Sequence, residues 1–161
     1  MERIIAILEK IDRPGMDKVI EYMRASNYAT ARCNSHHIHN GGLVEHSLEV
    51  YNFMMEHRSG ISEESCAICA FFHDLGKTRC EGHSYDGHHP RRALAILRRC
   101  GLQLTPDEKT AIGQHHSKRF IYLIHPMRVC LSLGDMDSTR RWKSANPRPE
   151  YKSSHRGRKR S

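Results

Sequence analysis

The sequence predicts an all-α fold, a compact bundle of several helices followed by a disordered basic tail. Three observations predict it. Apolar residues recur every three or four positions along most of the chain, the spacing of a buried helix face. Helix punctuation is explicit, as at Ser62 before Glu63-Glu64 and in Thr105-Pro106-Asp107-Glu108. No stretch alternates apolar and polar residues, and there is no Asn-Gly hairpin signal and no internal repeat.

Ile4, Ile5, Leu8 and Ile11 mark a short first helix. Pro14 suits the first turn of a second, whose stripe is Val19, Ile20 and Met23. Residues 27–40 are polar and irregular. Gly41-Gly42 opens a third helix with Leu43, Leu48, Val50, Tyr51, Met54 and Met55 turned mostly inward, and Gly60 closes it. Ser62 caps a fourth helix, with Glu63 and Glu64 at its positive end; it carries Ala67, Ile68, Ala70, Phe71 and Leu75 before Gly76 stops it. Residues 78–88, with Gly82 and Gly87, read as a loop. Pro90 begins a fifth helix that reaches Leu97 and ends at Gly101. The Thr-Pro-Asp-Glu run starts a sixth, through Ile112 to His115 and His116, and a last helix spans about 126–137.

The 161 residues suffice for one domain, placed at 1–139, with the tail at 140–161. No apolar run approaches the roughly 18–20 residues that span a bilayer, and the N-terminus lacks the pattern of a signal peptide. A cytoplasmic protein without a membrane partner is therefore expected. The six cysteines are then expected to be reduced, and Cys66-x-x-Cys69, inside an apolar helix, reads as small buried hydrophobes rather than half a zinc site. The formal charge of +8 lies wholly in the tail: residues 140–161 hold nine Lys/Arg against Glu150, while 17 of each sign cancel before them.

Histidine is the unusual count, 13 in all and 12 before residue 140. Neutral imidazole is a common metal ligand and a good acid or base. Five places carry the chemistry. His73-Asp74 ends an apolar helix, where a carboxylate opposes the helix dipole. His46 falls among Leu43, Leu48 and Val50. His88-His89 precedes Pro90, His115-His116 ends the sixth helix, and Asp135 and Asp137 interrupt an otherwise apolar last helix. Burying such groups is costly unless their charge is compensated, and in a helical bundle they converge on one interior site. A metal centre with His and Asp ligands follows.

The order His46, His73-Asp74, Asp135, in the contexts Gly-Gly-Leu-x-x-His-Ser-Leu and His-Asp-Leu-Gly-Lys, resembles the HD-domain superfamily of metal-dependent phosphohydrolases, particularly small bacterial members. The resemblance runs from about residue 13 to 139. It implies that His46, His73, Asp74 and Asp135 ligate a first ion, that His89 and His115 add a second, and that Asp74 bridges the two. Spacing leaves His88 open beside His89, and His116 beside His115. Asp135 matches the family position better than Asp137. The resemblance makes Asp74 a catalytic residue, and Lys77 another through contact with a substrate phosphate; a cation closing a helix is the plainer reading of Lys77. His36, Lys118 and Arg119 are candidates for substrate binding, and Arg91 and Arg92 also flank the ligands.

One or two divalent transition ions are implied, with iron, manganese, cobalt, nickel and zinc indistinguishable. The expected reaction is hydrolysis of a nucleotide or other small phosphate ester by metal-activated water. The alternatives are a nuclease or cyclic-nucleotide phosphodiesterase, with the basic tail, Trp142 and Tyr151 tracking nucleic acid, or a non-catalytic sensor of a phosphorylated ligand. The sequence does not set the oligomeric state.

Overall fold

The computed structural model describes residues 1–81, 88–119 and 124–147. Among them are seven α-helices and one 3-10 turn, and no strand: α1 (Glu2–Leu8), α2 (Met16–Ala25), α3 (Gly42–His57), α4 (Glu63–Phe72), the turn Leu75–Lys77, α5 (His89–Arg99), α6 (Pro106–Gln114) and α7 (Pro126–Ala145). The all-α expectation holds. The stretch 82–87, in the expected loop, and the tail from 148 lie outside the described residues.

The caps form as their residue types require. Ser62 Oγ accepts the Ser65 N–H at 3.1 Å and fixes the start of α4. At α6, Thr105 Oγ1 accepts the Glu108 N–H at 3.2 Å while Glu108 Oε2 accepts the Thr105 N–H at 2.8 Å, a reciprocal capping box. α3 packs along α7 and against α4, α6 bridges α7 and α5, and α5 lies on the 3-10 turn. α4 sits centrally, and every residue from Ser65 to Phe72 is buried. Side chains such as Leu43, Phe71 and Phe72 each stabilise the fold by about 1.5–3 kcal/mol through burial. Cys66 and Cys69 belong to this core as free thiols, and burial pushes the Cys66 thiol up to about 11.

Three boundaries differ from the sequence reading. Pro14 precedes α2, where its carbonyl accepts the Gln103 N–H at 3.3 Å and ties the turn to the α5–α6 connection. α4 ends at Phe72, so Leu75 and Gly76 belong to the tighter turn that follows. The last helix runs on to Ala145, so residues 140–145, placed in the tail, are helical. No breaker occurs before Asn146-Pro147, Arg141 Nε pairs with Asp137 at 2.7 Å one turn back, and the Trp142 ring lies 5.8 Å from that of His37.

Two glycines set distances that the site depends on. A Cβ on Gly42 would stand 1.9 Å from the His37 carbonyl oxygen, so only glycine lets the 31–39 loop lie across the start of α3. A Cβ on Gly76 would stand 2.0 Å from the His89 carbonyl oxygen and 2.8 Å from the Ala93 nitrogen. The backbone of α5 therefore rests directly on the turn that follows Asp74.

Candidate metal centre

Five segments bring one polar cluster together inside the bundle: α3 gives His46, the end of α4 gives His73 and Asp74, α5 begins with His89, α6 is capped by His115, and α7 gives Asp135. His46, His73, Asp74, His115 and Asp135 are all buried. Two overlapping donor groups form, His46–His73–Asp135 and His73–Asp74–His115, and His89–His115–His116 adjoins them.

The hydrogen bonds fix which nitrogens face inward. His73 Nδ1 lies 2.9 Å from the Ala70 carbonyl, and His115 Nδ1 lies 2.8 Å from that of Ile112. A carbonyl only accepts, so both Nδ1 atoms carry the proton and both Nε2 atoms present lone pairs. His46 reaches the same state through a relay. Ser138 Oγ donates to Glu49 Oε2 at 2.6 Å, which leaves it to accept from His46 Nδ1 at 2.8 Å. Outer partners of this kind orient histidine ligands and raise their basicity.

The inward atoms are therefore acceptors facing acceptors. His46 Nε2 lies 3.3 Å from His73 Nε2, 3.3 Å from Asp135 Oδ1 and 3.7 Å from Asp74 Oδ2. Asp74 Oδ1 has His89 Nε2 at 3.2 Å and His115 Nε2 at 4.0 Å. Asp74 Oδ1 and His115 Nε2 are buried without a hydrogen bond. Orphaned buried acceptors are expensive, and a cation among them is the chemical remedy. The residues thus fit a metal: imidazole nitrogens and carboxylate oxygens are the donors that first-row divalent ions take.

The electrostatics agree. Burial lowers His73, brings His115 to about 3 and brings His89 to about 4, so these rings are neutral donors at neutral pH. Burial would raise Asp74 and Asp135, but neighbouring groups outweigh it. His73 and Lys77 hold Asp74 well below the ordinary carboxylate range, and the imidazoles of His46 and His73 do the same for Asp135. The Lys77 ammonium rests against Asp74 Oδ2. Burial opposes its charge, yet Asp74 raises its pKa above the usual lysine value.

The neighbours that spacing leaves open take different places. His89 reaches Asp74, whereas His88 is the exposed N-cap of α5 and joins no donor group. His115 is buried against Asp74; His116 is exposed, with Nε2 3.1 Å from His89 Nε2 and Nδ1 3.8 Å from Asp135 Oδ2. Asp137 points away, to Arg141. His36 is buried at the edge of the cluster, its ring 4.7 Å from that of His46, and burial brings its pKa to about 4. Lys118 and Arg119 lie exposed beyond α6 and make no ion pair with the cluster. Arg92 donates to the Thr78 carbonyl at 3.4 Å.

Sequence reasoning missed the supporting residues. Ser138 and Glu49 set His46, while Arg128 and Ser132 donate to the His115 carbonyl at 3.3 and 2.7 Å and hold the end of α6. The only signal in the chain is the placement of Ser132 and Ser138 on the helix of Asp135. Among the described residues no helix is long and apolar enough to cross a membrane. In comparison with known proteins, the family model described as HD domain matches residues 43–149, about two thirds of the chain, and spans every member of the cluster. Neither a curated protein nor a solved structure matches.

Proposed function

This chain belongs to the HD-domain family of metal-dependent phosphohydrolases, and from that premise we propose that it hydrolyses a nucleotide or other small phosphate ester. In this reading His46, His73, Asp74 and Asp135 hold one divalent ion, and His89 and His115 share Asp74 with a second. The observation that carries it is the convergence of lone pairs on Asp74, whose Oδ1 is buried with no donor.

The chemistry that such an ion supplies when bound is polarisation of a phosphoryl oxygen and a water pKa lowered from about 15.7 toward about 7. The protein's own part is preorganisation. The Ala70 and Ile112 carbonyls and the Ser138–Glu49 relay keep the Nδ1 protons in place, so the inward nitrogens stay unprotonated. Asp74 stands between both donor groups and remains ionised. Lys77, charged and beside Asp74, is placed to offset the charge of a phosphoryl group. Leu75 and Gly76 are buried beneath the site and keep bulk water from that side.

The test is elemental analysis of gently purified protein beside an Asp74→Ala variant, with phosphoester turnover assayed on both. Stoichiometric metal and turnover, both lost in the variant, are expected. Metal without turnover on a broad panel of esters would replace the hydrolase reading with a phospho-ligand sensor. No metal after reconstitution with each of the five ions would overturn the metal centre.

A further inference from the structure

A cavity of about 690 Å³ opens onto the centre at Asp135 and His116, and one wall of it is the last three turns of α7. That size accommodates a nucleotide-sized molecule. The wall is built from two ridges at i, i+4, i+8 spacing: Asp135, Thr139 and Lys143 on one, and Met136, Arg140 and Ser144 on the other. The helix therefore carries opposite charges at the two ends of one cavity. At 1.5 Å per residue, Arg140 lies about 7.5 Å and Lys143 about 12 Å along the axis from Asp135.

These two cations differ from their neighbour. Arg141 is paired with Asp137 on another face. Arg140 and Lys143 are exposed, and among the described residues neither has an ion-pair or hydrogen-bond partner. The polar cavity beside Lys77, about 500 Å³ and lined also by Arg32 and Arg79, contains none of the candidate ligands. Of these two cavities, the α7 cavity is the one that joins candidate ligands to unpaired cations.

We infer that Arg140 and Lys143 form a second anion site, so that the substrate is a phosphate ester carrying another phosphate roughly 7–12 Å from the one that reacts. This rests on the hydrolase reading for the word substrate, but not for the site itself. The chemistry is that of a guanidinium and an ammonium meeting phosphate oxygens, the guanidinium as a planar fork and the ammonium as a point charge. Two sources present it: a free nucleotide with phosphates at both ends of its sugar, and the neighbouring phosphate of a short strand.

The test is calorimetric binding to the full-length, manganese-loaded protein, with three probes. They are AMP, adenosine 3′,5′-bisphosphate and a 5′-phosphorylated trinucleotide with phosphorothioate links. A two-phosphate probe is expected to bind about tenfold or more tighter than AMP, the gain of a charge-assisted contact. In R140A/K143A that ratio should fall to near one with metal content intact, and in R140E/K143E it should invert. Preference for the bisphosphate assigns the second phosphate to a free nucleotide, and preference for the trinucleotide assigns it to a strand. Equal affinities in the wild type, or a preference that survives the double substitution, overturn the site. Turnover of a simple chromogenic monoester by the wild-type protein is read in parallel. Its absence beside an intact preference would count against the hydrolase reading alone; its presence without the preference would count against the anion site alone.

Discussion

Two buried carboxylates in this bundle look alike in a burial profile and differ in what surrounds them. Glu108 is met entirely by donors. Its Oε1 accepts from Ser65 Oγ at 2.8 Å, and its Oε2 accepts from Arg13 Nη1 at 2.5 Å and from the Thr105 N–H at 2.8 Å. Asp74 has the Lys77 ammonium on Oδ2 and no donor on Oδ1, and its other neighbours are imidazole nitrogens. The first arrangement is complete as protein and joins α6 to α4 and to the α1–α2 connection. The second leaves Oδ1 without a donor, and the proposed metal ion would complete it. A buried acid with all its donors is architecture, and a buried acid facing lone pairs is a candidate ligand.

The comparison breaks or sharpens with substitutions on either side of it. The largest effect is expected for Asp74→Ala: bound metal falls to none and turnover drops about a thousandfold or more, the several kcal/mol of a lost ion. Its circular dichroism should remain that of a folded helical protein. Glu108→Ala should do the reverse. Arg13 keeps Glu64 at 2.6 Å, but Ser65 Oγ and the Thr105 N–H lose their acceptor, which costs about 1–3 kcal/mol and lowers Tm by about 2–12 °C at 2–4 °C per kcal/mol. Metal per folded molecule should be unchanged. If Glu108→Ala instead releases metal at temperatures where the protein is folded, the division fails.

Smaller effects grade the centre itself. His115→Ala should remove one equivalent of a two-ion complement and leave the other, as read by elemental analysis. Loss of both would mean that Asp74 cannot hold a first ion without its partner set. Ser138→Ala should weaken metal binding or activity by about 10–100-fold through loss of the His46 relay. Ser138→Thr, which keeps the hydroxyl, should recover most of it. Arg141→Ala, which removes only an exposed pair with Asp137, should change stability by no more than about 0.5 kcal/mol in thermal denaturation.

The parts of this protein legible in its sequence are those encoded locally. Thr105-Pro106-Asp107-Glu108 announces its helix because every partner in a capping box lies within four residues. His73-Asp74 stands out because a carboxylate at that helix end needs a reason. The end of α7 was not legible: Arg140 to Lys143 look like the start of a basic tail, and only the pair with Asp137 and the packing of Trp142 on His37 show otherwise. The choice between His88 and His89 was equally closed, because it depends on which residue is the cap and which begins the helix. Ser138 and Glu49 carry no motif. They matter because α3 and α7 pack side by side, which places a serine 92 residues from the histidine that it holds.

The cluster draws on five segments between His46 and Asp135, none of them adjoining the next in sequence. An ion held there acts as a clasp across most of the polypeptide, and mass action makes the folded population answer to metal supply. At a free concentration a hundred times its Kd, one ion deepens stability by about 2.7 kcal/mol. Depletion gives that back, and the share of molecules open to proteases rises by about a hundredfold. The proposed centre would thereby tie the folded population of this protein to the supply of the ions it holds.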